Sequence, residues 1–127
     1  MPEFPYEHRQ SVTTVLGTAA ATILPATPPQ QSIEIVEVVV TVLGGTVGGP
    51  TVGGRLMQFA TLQGYSSFGT TTGTIVEPFD AAPGFPFRDG DGKAPIAYVS
   101  PGNLLYGVVD SGSVTAKVVY RPIYKRG

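Results

Sequence analysis

The sequence predicts an all-β fold, a single antiparallel β-sandwich, and three observations carry that expectation. The stretch QSIEIVEVVVTVL at residues 31–43 lies in the longest segment free of Gly and Pro. It is also the richest in β-branched side chains, which suit a pleated, half-buried surface. Elsewhere 17 Gly and 12 Pro punctuate the chain, with valines and aromatics between them, as expected of many tight turns joining short strands. The closing third alternates: Val114, Ala116, Val118 and Tyr120 share one parity, while Thr115, Lys117 and Arg121 share the other.

Taken in order, residues 1–10 form an extended arm, because Pro2 and Pro5 fix φ and bias their predecessors toward extended geometry. Phe4 and Tyr6 alternate with these prolines. Two readings fit them: a leader without fixed structure, or an arm laid on a neighbouring subunit. Residues 11–24 read as a strand pair or a bulged strand interrupted at Gly17; the run Ala19, Ala20, Ala21 is too short to support a helix. Residues 25–29, with three prolines, make a rigid loop into the long strand.

That strand changes phase. Ile33 and Ile35 occupy odd positions, whereas Val38, Val40 and Val42 occupy even ones. A strand has a strict period of two, so a bulge or twist is expected near Val36 and Glu37. Val39 and Leu43 then make the second face apolar as well. The glycine-rich residues 44–54 read as a protruding hairpin tip, returning residues 55–63 as a strand paired back on 31–43. Residues 64–73 are loop, and 74–79 form a short strand stopped by Pro78. A long loop over 80–95 holds Phe85 and Phe87 among Pro83, Pro86 and Pro95. Residues 94–100 and 104–109 are strands, and a turn at 110–113 closes a hairpin into 114–123.

The residues that carry chemistry are sparse. Charged residues make up 13% of the chain, against roughly a quarter in ordinary domains. Either neighbouring chains shield much of the surface, or a Thr/Ser/Gly coat takes the place of charge, as in secreted β domains. A net charge of −1 gives no electrostatic reason to bind nucleic acid. With no Cys there is neither disulfide nor thiol chemistry. His8 is the single histidine, so a Ser-His-Asp triad would have to recruit the arm, and a zinc site lacks ligands. Glu34 and Glu37 point to opposite faces of a regular strand unless the bulge realigns them. The run RDGDGK at residues 88–93 suggests a tight turn more than a cation loop, since the later acidic ligands are missing and Lys93 adds positive charge. The glycines at 44–54 lack the Lys and Ser/Thr of a phosphate loop. No catalytic, cofactor or metal residue is expected. The N-terminus shows neither the basic nor the apolar region of a signal peptide, and no apolar run approaches membrane-spanning length. The expectation is a chain made in a cytoplasm and kept there or carried outward in a particle.

Two segments carry a resemblance. Residues 14–23 read T-x-L-G-x-A-A-A-T-I, and after the long strand residues 104–123 read L-x-x-G-x-V-x-S-G-x-V-x-x-x-V-x-Y-x-x-I. In this the chain resembles the small β-sandwich virion proteins of tailed bacteriophages, including capsid decoration (cement) proteins. The resemblance covers about half the chain and departs at residues 44–54 and 79–95, which suit a head fibre base, neck or tail protein equally. It implies no cofactor and no enzyme activity, a homo-oligomer (commonly a trimer) on a capsid surface, and the major capsid protein as partner. It implies no direct nucleic-acid contact and no membrane.

The expectation is therefore an arm over residues 1–10 and a jelly-roll-like sandwich over 11–127 that stabilises a capsid through inter-subunit contacts. The contact residues expected are Phe4, Tyr6, Val38, Val40, Val42, Leu43, Val47, Val52, Phe85 and Phe87. A carbohydrate- or receptor-binding module is the alternative, with Tyr65, Phe68, Phe85 and Phe87 as a stacking surface.

Overall fold

A computed structural model describes residues 9–47, 49–59 and 74–124 of the 127-residue chain. Among them every regular element is a strand: β1 Gln10–Leu16, β2 Ala21–Leu24, β3 Gln31–Val42, β4 Val52–Phe59, β5 Thr74–Ala81, β6 Phe87–Asp89, β7 Ala97–Val99, β8 Leu104–Val109 and β9 Val114–Tyr124. The protein is all-β. The strands form two antiparallel sheets, one ordered β1-β9-β3-β6 with β7 also on β3, the other β2-β8-β4-β5.

The two sheets face each other across one core, a sandwich-like arrangement. Leu16, Ile33, Ile35, Val38, Val40, Val114, Ala116 and Val118 come from the first sheet and meet Leu56, Phe79, Leu105 and Val109 from the second, all buried. The expected period-two alternation in β9 is realised, with Val114, Ala116 and Val118 buried and Lys117 exposed. Two strand glycines make room in this core. A Cβ on Gly107 would lie 2.7 Å from Leu16 Cδ1, and one on Gly54 would lie 2.2 Å from Phe79 Cζ. Strand glycine marks a close approach, and here the approaching groups are a leucine and an aromatic ring.

The bulge in β3 is present. Its register against β9 slips between Ile35 and Glu37, so Ile33, Ile35, Val38 and Val40 all reach the core. The other edge of β3 breaks at the same place: β7 pairs with Ile33–Ile35, β6 pairs with Val38–Val40, and the connection between them crosses the bulge.

Several expected connections are corrected. Strand β4 does not return to β3; it lies in the second sheet between β8 and β5, so residues 44–51 cross between sheets instead of capping a hairpin. The glycines at its start belong to the strand itself, because Gly53 and Gly54 are buried in β4. The turn at 110–113 likewise joins the two sheets and closes no hairpin: β8 pairs with β2 and β4, and β9 with β1 and β3. Strands β1 and β2 exist, but in different sheets. Strand β5 runs through Pro78 to Ala81. Between the pairs Gly54↔Phe79 and Leu56↔Val76 it has one residue more than β4, and a bulged edge strand tolerates a proline without an N–H. The loop expected over 80–95 contains β6.

The second sheet is apolar on its outer side too. Met57, Tyr106 and Val108 are fully buried there, with Ala20, Phe59 and Leu104 against them. Phe59 and Tyr106 stack with ring centroids 6.1 Å apart.

Candidate functional site

The sequence concentrates glycine and proline on two connections, and the fold brings both to one end of the molecule. One is the crossing from β3 to β4, the other the turn from β5 to β6. Gly44 and Gly45 take φ of 76° and 79°, which turns the chain sharply after β3, and the Leu43 N–H donates to the Ser113 carbonyl oxygen at 3.0 Å. Across from them Ala82 and Phe85 exchange two backbone hydrogen bonds at 3.1 and 2.8 Å around Pro83 and Gly84. The connections touch: an added Cβ on Gly45 would lie 2.8 Å from Pro83 Cγ, and one on Gly84 would lie 2.9 Å from Val47 Cγ2.

This end is apolar and open. Val47 is 73% exposed, Phe85 62% and Leu43 46%, three of the five exposed large hydrophobic residues among the described ones. Beside them lies a shallow depression of about 260 Å³ lined by Val42, Leu43, Pro50, Val52, Pro83 and neighbouring glycines. No charged residue lines it. Apolar side chains on glycine- and proline-fixed turns, with no charge among them, form a surface suited to burial against another macromolecule.

Of the expected contact residues, Leu43, Val47 and Phe85 meet on this surface, and Val42 and Val52 line its depression, Val42 half-buried and Val52 buried. Val38 and Val40 are fully buried in the chain's own core, and Val52 nearly so, which leaves little or nothing of them for a second chain. Phe87 is half-buried and turned inward, its ring 5.6 Å from that of Phe79. Phe4, Tyr6, Tyr65 and Phe68 lie outside the described residues. Pro83 and Gly84 went unnoticed as site residues in the sequence; their signal was a Pro-Gly turn placed beside Phe85.

A polar cluster lies elsewhere, on the outer face of the first sheet. The bulge realigns Glu34 and Glu37 so that both point outward. Arg121 Nε donates to Glu34 Oε1 at 2.5 Å, and Arg88 NH1 donates to Glu37 Oε2 at 3.0 Å. Arg121 NH2 also reaches the Lys93 carbonyl oxygen at 3.1 Å, and Arg9 donates to the Gly92 carbonyl oxygen. The Gly92 N–H in turn donates to the Val36 carbonyl oxygen at 3.1 Å. These arginines fasten the β6–β7 connection over the bulge.

The Asp-Gly-Asp-Gly run takes the turn geometry. Asp91 Oδ1 accepts the N–H groups of Lys93 at 2.8 Å and Ala94 at 3.2 Å, and Gly90 and Gly92 adopt φ of 84° and 82°. The Lys93 N–H, and then that of Ala94, hold the Asp91 carboxyl below the usual aspartate range, because both bonds favour its charged form. Among the described residues no group of three or more His, Cys, Asp or Glu side chains is placed to hold a metal ion. Among them, too, no helix is long and apolar enough to cross a membrane. In comparisons with protein families, curated proteins and solved structures, nothing matches this chain.

Proposed function

We propose that the chain is a structural virion protein that decorates and stabilises a bacteriophage capsid, docking through the apolar end formed by Leu43, Val47 and Phe85. The observation that carries this reading is that end: three exposed apolar side chains beside a depression lined by no charged residue, on turns set by positive-φ glycines and prolines. Burying such a surface between subunits or against a shell stabilises a particle by removing apolar area from water, with little ordering cost in turns already set. The partners in this reading are the major capsid protein and further copies of this chain, a trimer by the resemblance given above.

The strand order supports the same reading. Counting β6 and β7 as one interrupted strand, since both pair on the same edge of β3, the chain passes between sheets at every connection except β4–β5. We read that interlocking of two four-stranded sheets as jelly-roll-like, an architecture that serves in viral capsid and lectin domains.

The reading is tested by comparing virus particles with and without this protein for resistance to heat and osmotic shock. Particles lacking it are expected to open sooner, and Phe85→Asp protein is expected not to restore them. Equal resistance with and without the protein overturns the reading. The lectin-like alternative would use Phe85, the exposed aromatic at this end, and predicts a signal on a glycan array that the capsid reading does not.

A further inference from the structure

The sheets present four outer edges, and three carry devices that obstruct pairing with another chain. Strand β2 has only four residues, its register slips between Thr22 and Leu24, and Pro25 follows at once. Strand β5 is bulged and contains Pro78. The β6/β7 edge is broken by the connection over the β3 bulge, and it carries Arg88 and Asp89 in β6 and Asp91 and Lys93 in that connection. Short strands, bulges, proline and charge are the means by which sheet proteins prevent edge-to-edge association.

Strand β1 has none of them. Its sequence, QSVTTVL, contains no proline, glycine or charged residue. Its register with β9 runs unbroken through seven pairs, from Gln10↔Tyr120 to Leu16↔Val114, so no bulge interrupts it. Its pairing among the described residues is with β9 alone, and Ser11, Thr13 and Val15 are exposed. An edge strand has a row of backbone N–H and C=O groups directed outward, ready to extend the sheet.

We infer that β1 is an open edge through which two copies of this chain join antiparallel, β1 to β1, about a two-fold axis at Thr13. The partner is a second copy because the strand is complementary to itself. With Thr13 on the axis, Ser11 falls opposite Val15 and Val12 opposite Thr14, so inward positions meet inward positions and the core faces of both sheets stay aligned. Arg9 falls opposite Gly17, and no like charges meet. This joint lies on residues distinct from the apolar end and stands or falls independently of it.

The test is sedimentation velocity of the full chain from about 1 to 100 μM, the range in which a small interface of this kind associates. Wild-type protein is expected to shift from monomer to dimer across that range. Thr13→Glu should weaken association at least tenfold, since it puts two carboxylates together on the axis. Within one chain the same substitution is favourable, because Thr13 lies opposite Lys117. Thr13→Lys should weaken it similarly, and a one-to-one mixture of the two variants should restore the dimer; circular dichroism shows that both are folded. Wild-type protein that stays monomeric at every concentration overturns the inference. So does association left unchanged by both variants, or a mixture no better than either variant alone.

Discussion

The ring of Phe79 lies against the backbone of Gly54, its directly paired residue across β4 and β5. A Cβ on Gly54 would stand 2.2 Å from Cζ and under 3 Å from both Cε atoms, and Phe79 is fully buried with Phe87 beside it. The ring has nowhere to retreat. Gly54→Ala is therefore expected to cost about 1–3 kcal/mol as overpacking, read as a lower urea midpoint at unchanged slope. Phe79→Leu removes the obstructing ring, so the double variant should be less destabilised than the sum of the two single changes.

Gly90 sits where the β6–β7 connection crosses the bulge. It adopts φ of 84°, and a Cβ there would lie 2.2 Å from the Val36 carbonyl oxygen, a backbone atom that cannot rotate away. Gly102 has the same φ with nothing within 4 Å of an added Cβ. Gly102→Ala should therefore cost about 1 kcal/mol from backbone strain alone, and Gly90→Ala roughly 3 kcal/mol or more. Equal thermal shifts for the two would show that the bulge yields to its cover.

The two ion pairs on the outer face differ in burial, and their contributions should differ accordingly. The side chains of Arg121 and Glu34 are 13% and 15% exposed, whereas Arg88 beside Glu37 is 63% exposed. Arg121→Ala leaves Glu34 largely desolvated without its partner and frees the Lys93 carbonyl oxygen, a loss of about 1–3 kcal/mol. Arg88→Ala should cost less than about 1 kcal/mol, and that small effect should vanish in molar salt.

Much of the local structure was legible in the sequence, because a period of two reports which side of a strand faces the core. The phase change at Val36 and Glu37 gave the bulge for that reason. Sheet membership was not legible, since alternation does not say which strand lies alongside. Asp110 illustrates this. In sequence it opens a hairpin turn, but its carboxylate accepts the Gly53 N–H at 3.1 Å and its own N–H donates to the Gly53 carbonyl oxygen at 2.8 Å. A contact 57 residues away ties the turn to the second sheet. The same blindness affected the candidate site. Leu43, Val47 and Phe85 stood out among glycines and prolines, but Val38 and Val40 look just as apolar, and hydrophobicity alone cannot tell the chain's own core from a partner's surface.

Asp91 makes the fold of its turn sensitive to acid. Its carboxyl titrates below the ordinary aspartate range because the N–H groups of Lys93 and Ala94 bond its charged form. A depressed folded-state value means the contribution is complete above the unfolded value, near 4, and is lost as pH falls through the lower folded value. An NMR titration of the side-chain carboxyl should place its midpoint below that of a free aspartate, with the Lys93 and Ala94 amide signals moving in step. Asp91→Asn should abolish that movement.

The apolar end and the β1 edge are separated by substitutions that add charge without touching the core. Val47 and Phe85 are mostly exposed, so Val47→Asp and Phe85→Asp remove little packing, and each should change the melting temperature of the isolated chain by less than about 0.5 kcal/mol equivalent. If the apolar end docks on a shell, each should lower affinity for empty capsids at least tenfold, since a carboxylate would be desolvated without a partner. The β1-to-β1 dimer should persist in both variants, because Thr13 and its neighbours are unchanged. Capsid binding as tight as wild type for both variants would move the docking surface away from Leu43, Val47 and Phe85. Loss of the dimer in Phe85→Asp would instead place self-association at this end.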